Sequence, residues 1–259
     1  MTSRGAVHYF ESRARVYRHT WRGSVISSFL NPVMFLAAMG LGLGSLVDQG
    51  AGEAAIAGAT YLAFLAPGLM AATAMQSAAG DSSWPVMAGI KWLKTYDGVL
   101  ATPLRVGDIV IGHVGFVTAR IAFVTGVYGA IAALFGALPL GRGLLAALPA
   151  TLTGAAFSAP VVAYASRLER DTGLVGLFRF AIVPMFLFSG TFFPVAQLPG
   201  WLQPLAYATP LWHGVELTRA VALGIAPAWN PAIHLAYLAA LVTGGIAIAT
   251  RNLRTRLLP

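Results

Sequence analysis

Six stretches almost free of charge punctuate the chain: Val25 to Val47, Gly58 to Ala79, Val110 to Leu134, Leu144 to Ala165, Gly173 to Phe193 and Ile233 to Thr250. Each matches or approaches the roughly 17–25 apolar residues that a helix needs to cross a bilayer. The pattern predicts an all-α membrane protein: one transmembrane domain over residues 1–259, built from six transmembrane helices.

Ahead of the first stretch the period changes. Val7, Phe10, Ala14, Tyr17 and Trp21 recur at steps of three and four, while Arg4, His8, Glu11, Arg15, Arg18 and Arg22 form a second stripe. On a helical wheel the two stripes lie about 100° apart. Residues 1–23 are therefore predicted to form an amphipathic interfacial helix, its rings at the lipid headgroups and its arginines on their phosphates. A plain topogenic anchor is the competing reading. No cleavable signal peptide is expected, because the first long apolar run begins near Ser24, follows five arginines and lacks a small-residue cleavage pattern.

Two connections break the apolar rhythm differently. Residues 84–104 are short and mixed, with Trp84, Pro85, Lys91, Trp92, Lys94, Tyr96 and Asp97. There Val86 to Leu100 is predicted to form a helix along the membrane surface, closed by the turn that Thr102-Pro103 favours. Residues 190–220 are apolar but carry Pro194, Pro199, Pro204 and Pro210, which rule out one continuous helix. Two short helices are expected, dipping into the outer leaflet and turning back as a re-entrant helical hairpin before the last span. Such a hairpin must pack on the other spans to avoid stranding its backbone groups in lipid. Trp201, Tyr207 and Trp212 suit the outer interface, and Glu216 and Arg219 stand at pairing distance on a helix.

Composition agrees with lipid as the solvent. The chain is 57% hydrophobic and 10% charged, against about 25% charged in an ordinary globular domain. The formal charge of +8 is a matter of topology. With the first segment in the cytoplasm, nearly all arginines and lysines fall on the inner side and only Arg142 and Arg219 fall outside, with Arg120 within a span. Both termini are thus predicted to be cytoplasmic, in a multi-pass inner membrane protein. The outer loop with Asp48 and Glu53 carries no basic residue, and nucleic acid is not an expected partner. The absence of cysteine excludes disulfides and thiolate chemistry.

Candidate chemistry is sparse. No zinc-protease or nucleophile-elbow motif occurs, and no paired intramembrane carboxylate. His113, His213 and His234 read as packing or interfacial residues, so no metal site and no catalytic residue is expected. None of the nine acids is expected at membrane depth, which argues against proton-driven transport. Arg120 must then face protein or water. It belongs to a polar translocation path, or it is bonded to a neighbouring helix or snorkels.

The segment from Ser189 through Phe192, Phe193, Pro194, Trp201, Tyr207 and Trp212 to Arg219 and Ala220 closely resembles the signature after the fifth span of ABC transporter type-2 permeases. Lys94-Thr-Tyr-Asp-Gly-Val-Leu-Ala-Thr-Pro-Leu-Arg105 resembles the coupling region of the same family, which often has Glu where Asp97 stands. The likeness covers nearly the whole chain. It is greatest to the branch of nodulation lipo-oligosaccharide and antibiotic-resistance exporter permeases. It implies a channel subunit powered by a separate ABC ATPase (nucleotide-binding) subunit, which binds ATP and magnesium; this chain has no phosphate-loop motif and binds no cofactor. It also implies a second permease, identical or related, beside membrane lipid. On this reading Tyr96, Asp97, Thr102 and Pro103 transmit motion from the ATPase. Arg120 stands on the translocation path, and Phe192, Phe193, Trp201, Tyr207 and Trp212 surface a gate for an amphiphilic cargo: a lipid, a lipid-linked glycan or a hydrophobic drug. A membrane-embedded transferase or protease, and an energy-independent channel or assembly factor, are the rival readings.

Overall fold

A computed structural model describes residues 3–38 and 60–258. The side chains of Trp21 and Arg22, the latter part of the predicted first span, and the loop with Asp48 and Glu53 lie outside the described residues. The regular structure among the described residues is all helical. The helices are α1 (Ser3–Ala37), α2 (Tyr61–Ser82), α3 (Trp84–Lys91), α4 (Thr95–Leu100), α5 (Val106–Leu134), α6 (Leu140–Ala165), α7 (Thr172–Phe188), α8 (Gln203–Tyr207), α9 (Pro210–Leu223) and α10 (Pro231–Leu257).

Four helical runs among the described residues are long and apolar enough to cross a membrane: Tyr61–Lys91, Val106–Leu134, Leu140–Ala165 and Pro231–Leu257. The segment predicted as the fifth span is shorter, a helix of 17 residues at most. Pro184 has no amide hydrogen to continue the ladder, and the turn before it, Phe178–Ile182, is π-helical. The helix stops at Ser189, where Gly190 takes a φ of +80°.

α6 is the hub, packed against α2, α5, α9 and α10. Small residues allow the approach: a Cβ on Gly245 of α10 would lie 2.7 Å from the backbone of Ala159 on α6.

α1 is one continuous helix, so the predicted amphipathic segment runs directly into the apolar part. Arg4, His8, Glu11, Arg15 and Arg18 are exposed as their stripe requires. The apolar stripe meets protein. Phe10 and Tyr17 each pack edge-on against Phe116 of α5, and Tyr9, outside the predicted stripe, is buried while Val7 is exposed. The face is rotated because Gly112 of α5 admits the backbone of Ala6 and the ring of Tyr9.

Contacts sort the connections to two ends. At one, Lys91 and Arg256 both reach Glu169, each at 2.9 Å, and Gly5 of α1 lies on Asp108 at the start of α5. At the other, Arg142 donates to the carbonyl of Leu223 at 2.8 Å, over the left-handed Gly224 that ends α9. The first turn of α1, residues 84–105 and the last turns of α10 therefore share one basic end of the bundle.

Candidate functional site

The connector at the basic end folds as two short helices rather than the single helix predicted from Val86 to Leu100. The amide of Leu93 donates to the carbonyl of Ala88, closing α3, and Lys94 adopts a left-handed φ of 48° before α4 begins. The break decides what the connector displays. Tyr96 turns inward, its ring against Gly89 and its hydroxyl bonded to that of Tyr9 on α1. Burial, and then the neighbouring Tyr9, push the Tyr96 hydroxyl well above the ordinary tyrosine value. Asp97, Thr102 and Pro103 remain exposed, and the Thr102 hydroxyl donates to the carbonyl of Val99 at 2.6 Å. Four residues grouped together by sequence thus split into one anchor and three surface positions.

The break also exposes Trp92 and Leu93, at 60% and 70% of their full areas. The sequence reading passed them over because a continuous helix gave them no reason to protrude. Two large apolar side chains close in sequence to Lys94 and Asp97 thus stand exposed at the basic end of the bundle.

Arg120 is not alone. It forms an ion pair with Asp81, its guanidinium lies over the Tyr17 ring at 5.5 Å, and both partners are largely shielded. Asp81 lies just past the predicted end of the second span at Ala79, and α2 continues through it to Ser82. One acid therefore does stand within a helical run long enough to span, and it neutralises the arginine whose burial is costly.

The residues predicted as one apolar gate surface divide into three groups. Phe192 meets Phe186 of α7 edge-on, with centroids 5.0 Å apart. Tyr207 and Trp212 join a box with Trp229, and Phe193 packs on the cluster around Trp212, which keeps 2% of its area exposed. Trp201 stands out at 73% exposure. Its neighbours Pro199 and Gly200 form a turn that carries it away from the cluster.

Arg219, predicted in an outer segment, is buried. Its guanidinium lies 3.8 Å from the centre of the Phe64 ring, Nη1 is 3.7 Å from Glu216, and Nη2 donates to the carbonyl of Gly190 at 2.9 Å. The helical spacing of Glu216 and Arg219 pointed to their pairing. The contacts to α2 and to the Gly190 turn span 29 to 155 positions and left no local signal. Gly68 lets this happen, since a Cβ there would lie 2.7 Å from the carbonyl oxygen of Thr191. His213 and His234, read as packing residues, share a buried hydrogen bond of 2.9 Å between their Nδ1 atoms, with His213 stacked on Tyr237. His113 is buried on α5.

Comparison with known proteins places this arrangement. Residues 10–223 match the family described as ABC-2 type transporter. Nodulation protein J of Rhizobium leguminosarum bv. viciae is 30% identical, over 91% of this chain and 88% of its own. Nodulation protein J of Rhizobium meliloti (strain 1021) is 29% identical, over 91% and 87%. The inner membrane transport permease YadH of Escherichia coli (strain K12) is 25% identical, over 77% of each.

Proposed function

The chain belongs to the ABC-2 type transporter family, and from that membership we propose that it is the permease subunit of an ATP-driven exporter, coupled to its ATPase through residues 84–104. The observation that carries the coupling is the exposed pair at the basic end: Trp92 and Leu93, close in sequence to Asp97, on a connector pinned to α1 by the buried Tyr96. A protruding apolar pair with adjacent charges suits a partner surface, and its anchor passes force to α1 rather than dissipating it in a loose loop.

In this reading the working unit holds two permeases and two ATPases, and the ATPases bind ATP with magnesium. The basic end faces the cytoplasm, as the positive-inside rule requires. α1 and α7 supply the remaining two of six crossings, the bilayer thinning locally to match the short α7. Residues 190–220 form the re-entrant hairpin of the outer leaflet, held by Arg219 on Phe64. ATPase closure pushes the connector and α1 together, and that movement alternates access to a cavity between the permeases. Arg120 and its partner Asp81 lie on the polar side of that path. The aromatic residues of the hairpin suit an amphiphilic cargo, a lipid, a lipid-linked glycan or a hydrophobic drug.

The test is assembly and coupling together. The permease should co-purify with a phosphate-loop ATPase, and Asp97→Ala should lower substrate-stimulated ATP hydrolysis in the complex while leaving assembly intact. Unchanged stimulation removes Asp97 from the coupling path.

A further inference from the structure

The last charge-free run of the chain ends at Thr250, and Arg251 follows on the same helix. At that level a groove of about 680 Å³ lies between the end of α10 and the turn joining α6 to α7. Arg167, Glu169, Arg251 and Arg256 line it, with Ile248 on the side of the apolar run. The volume lies within the roughly 300–1,000 Å³ of sites that hold a whole small molecule.

Two of the four charges are spent on the fold. Arg256 donates through Nη1 to the carbonyls of Ser166 at 2.6 Å and Leu168 at 2.9 Å, and its Nη2 lies 2.9 Å from Glu169. Glu169 also takes Lys91 of α3 at 2.9 Å, so one carboxylate serves two cations. Arg167 and Arg251 are exposed, and neither forms an ion pair or a side-chain hydrogen bond among the described residues.

The structure nevertheless holds these two arginines in place. Arg167 sits between Ser166 and Leu168, the two residues whose carbonyls Arg256 clamps. Arg251 precedes Asn252, whose Nδ2 donates to the carbonyl of Ala163 on α6 at 2.9 Å. Each free cation is thus the chain neighbour of a residue that knits α6 to α10. Two guanidinium groups presented from fixed backbone, with the local carboxylate already engaged, are suited to a phosphate, which takes two parallel N–H bonds from each.

The groove also says what the phosphate is attached to. Ile248 keeps 55% of its area exposed and lies three residues before Arg251, about 4.5 Å nearer the apolar run at 1.5 Å per residue. An anion with an apolar tail fits both levels, and at the end of a membrane span that is a phospholipid. Lys91, Arg167, Arg251 and Arg256 face a single carboxylate here, so a headgroup carrying its own cation is disfavoured and an anionic one preferred. We propose that this groove binds an anionic phospholipid of the leaflet at the basic end, with Arg167 and Arg251 as phosphate ligands and Ile248 against the start of the chains. The site goes beyond the permease reading and needs only that the chain spans a membrane, as its family does.

The test uses the full chain purified in dodecyl maltoside, with bound lipid counted by native mass spectrometry during titration with dioleoyl phosphatidylglycerol or dioleoyl phosphatidylcholine. Phosphatidylglycerol should bind at least fivefold more tightly. Arg167→Gln and Arg251→Gln should each weaken it about fivefold, the effect of one arginine at a lipid surface, without changing phosphatidylcholine binding or the unfolding temperature. Arg170→Gln removes an equal charge from the same turn but outside the groove, and should change binding less than twofold. Glycerol phosphate at the concentration of the lipid should leave the lipid bound. Equal affinity for the two lipids, an equal loss in Arg170→Gln, or unchanged phosphatidylglycerol binding in both groove variants overturns the site. Displacement by glycerol phosphate overturns it in favour of a free-phosphate site. Loss of ATPase co-purification in both groove variants with phosphatidylglycerol binding intact overturns it in favour of a protein contact.

Discussion

The guanidinium of Arg219 lies 3.8 Å from the centroid of the Phe64 ring, so a cation on α9 sits over an aromatic ring of α2. Its remaining donors are directed to Glu216 and to the carbonyls of Gly190 and Phe64. One side chain thereby joins α2, the turn after α7 and α9.

Removing that joint should be costly. Arg219→Ala leaves Glu216 without its cation and is expected to destabilise the folded chain by about 3 kcal/mol, as for one partner of a buried pair. Arg219→Lys should recover little, because an ammonium lacks the planar fork that serves several acceptors at once. Thermal unfolding of the three proteins in detergent gives the order.

Asp81 and Arg120 should behave as a unit. Either Asp81→Ala or Arg120→Ala leaves a largely shielded charge without its partner and should cost about 3–5 kcal/mol. The double substitution removes both charges and should cost less than the worse single one. Simple addition of the two effects in folding yield and thermal stability would show that the pair does not interact.

How much of this was legible beforehand depends on range. α5, α6 and α10 follow from apolar runs, and prolines announced a broken segment after the fifth. Pairing of Glu216 with Arg219 followed from helix spacing. The placement of Arg219 over Phe64 crosses 155 positions and had no local trace. Asp81 stands near the end of the second span, as expected, but its pairing with Arg120 of α5 crosses 39 positions and left no local trace. Trp92 and Leu93 escaped notice because nothing in the composition announces a left-handed Lys94. The rotation of the buried face of α1 toward Tyr9 was equally hidden, being set by a glycine on another helix.

Acid should loosen the basic end. Lys91 and Arg256 hold Glu169 below the usual carboxylate range, Lys91 first through its hydrogen bond. A carboxylate whose folded pKa is depressed adds stability that is present above its unfolded value, about 4.3, and is lost as pH falls through the folded one. The stability difference between the native chain and Glu169→Gln should therefore be steady near neutrality and shrink below pH about 4. A difference that grows on acidification contradicts the pairing.

Trp201 is exposed and touches no part of the aromatic box, so its removal should spare the fold. Trp201→Ala is expected to keep thermal stability, assembly and ATP binding while lowering transport severalfold, if the hairpin gates the outer side. Normal transport by this variant sinks the gating role.

The chain contains no cysteine, so a single introduced thiol reports one position without background. With Leu93→Cys or Asp97→Cys in the assembled complex, a short thiol-directed cross-linker should join the permease to the ATPase subunit. The same reagent on Trp201→Cys should not. Cross-linking from position 93 or 97 that weakens when ATP is hydrolysed is the result predicted for a coupling connector. No cross-link from either position, or one from position 201, contradicts it.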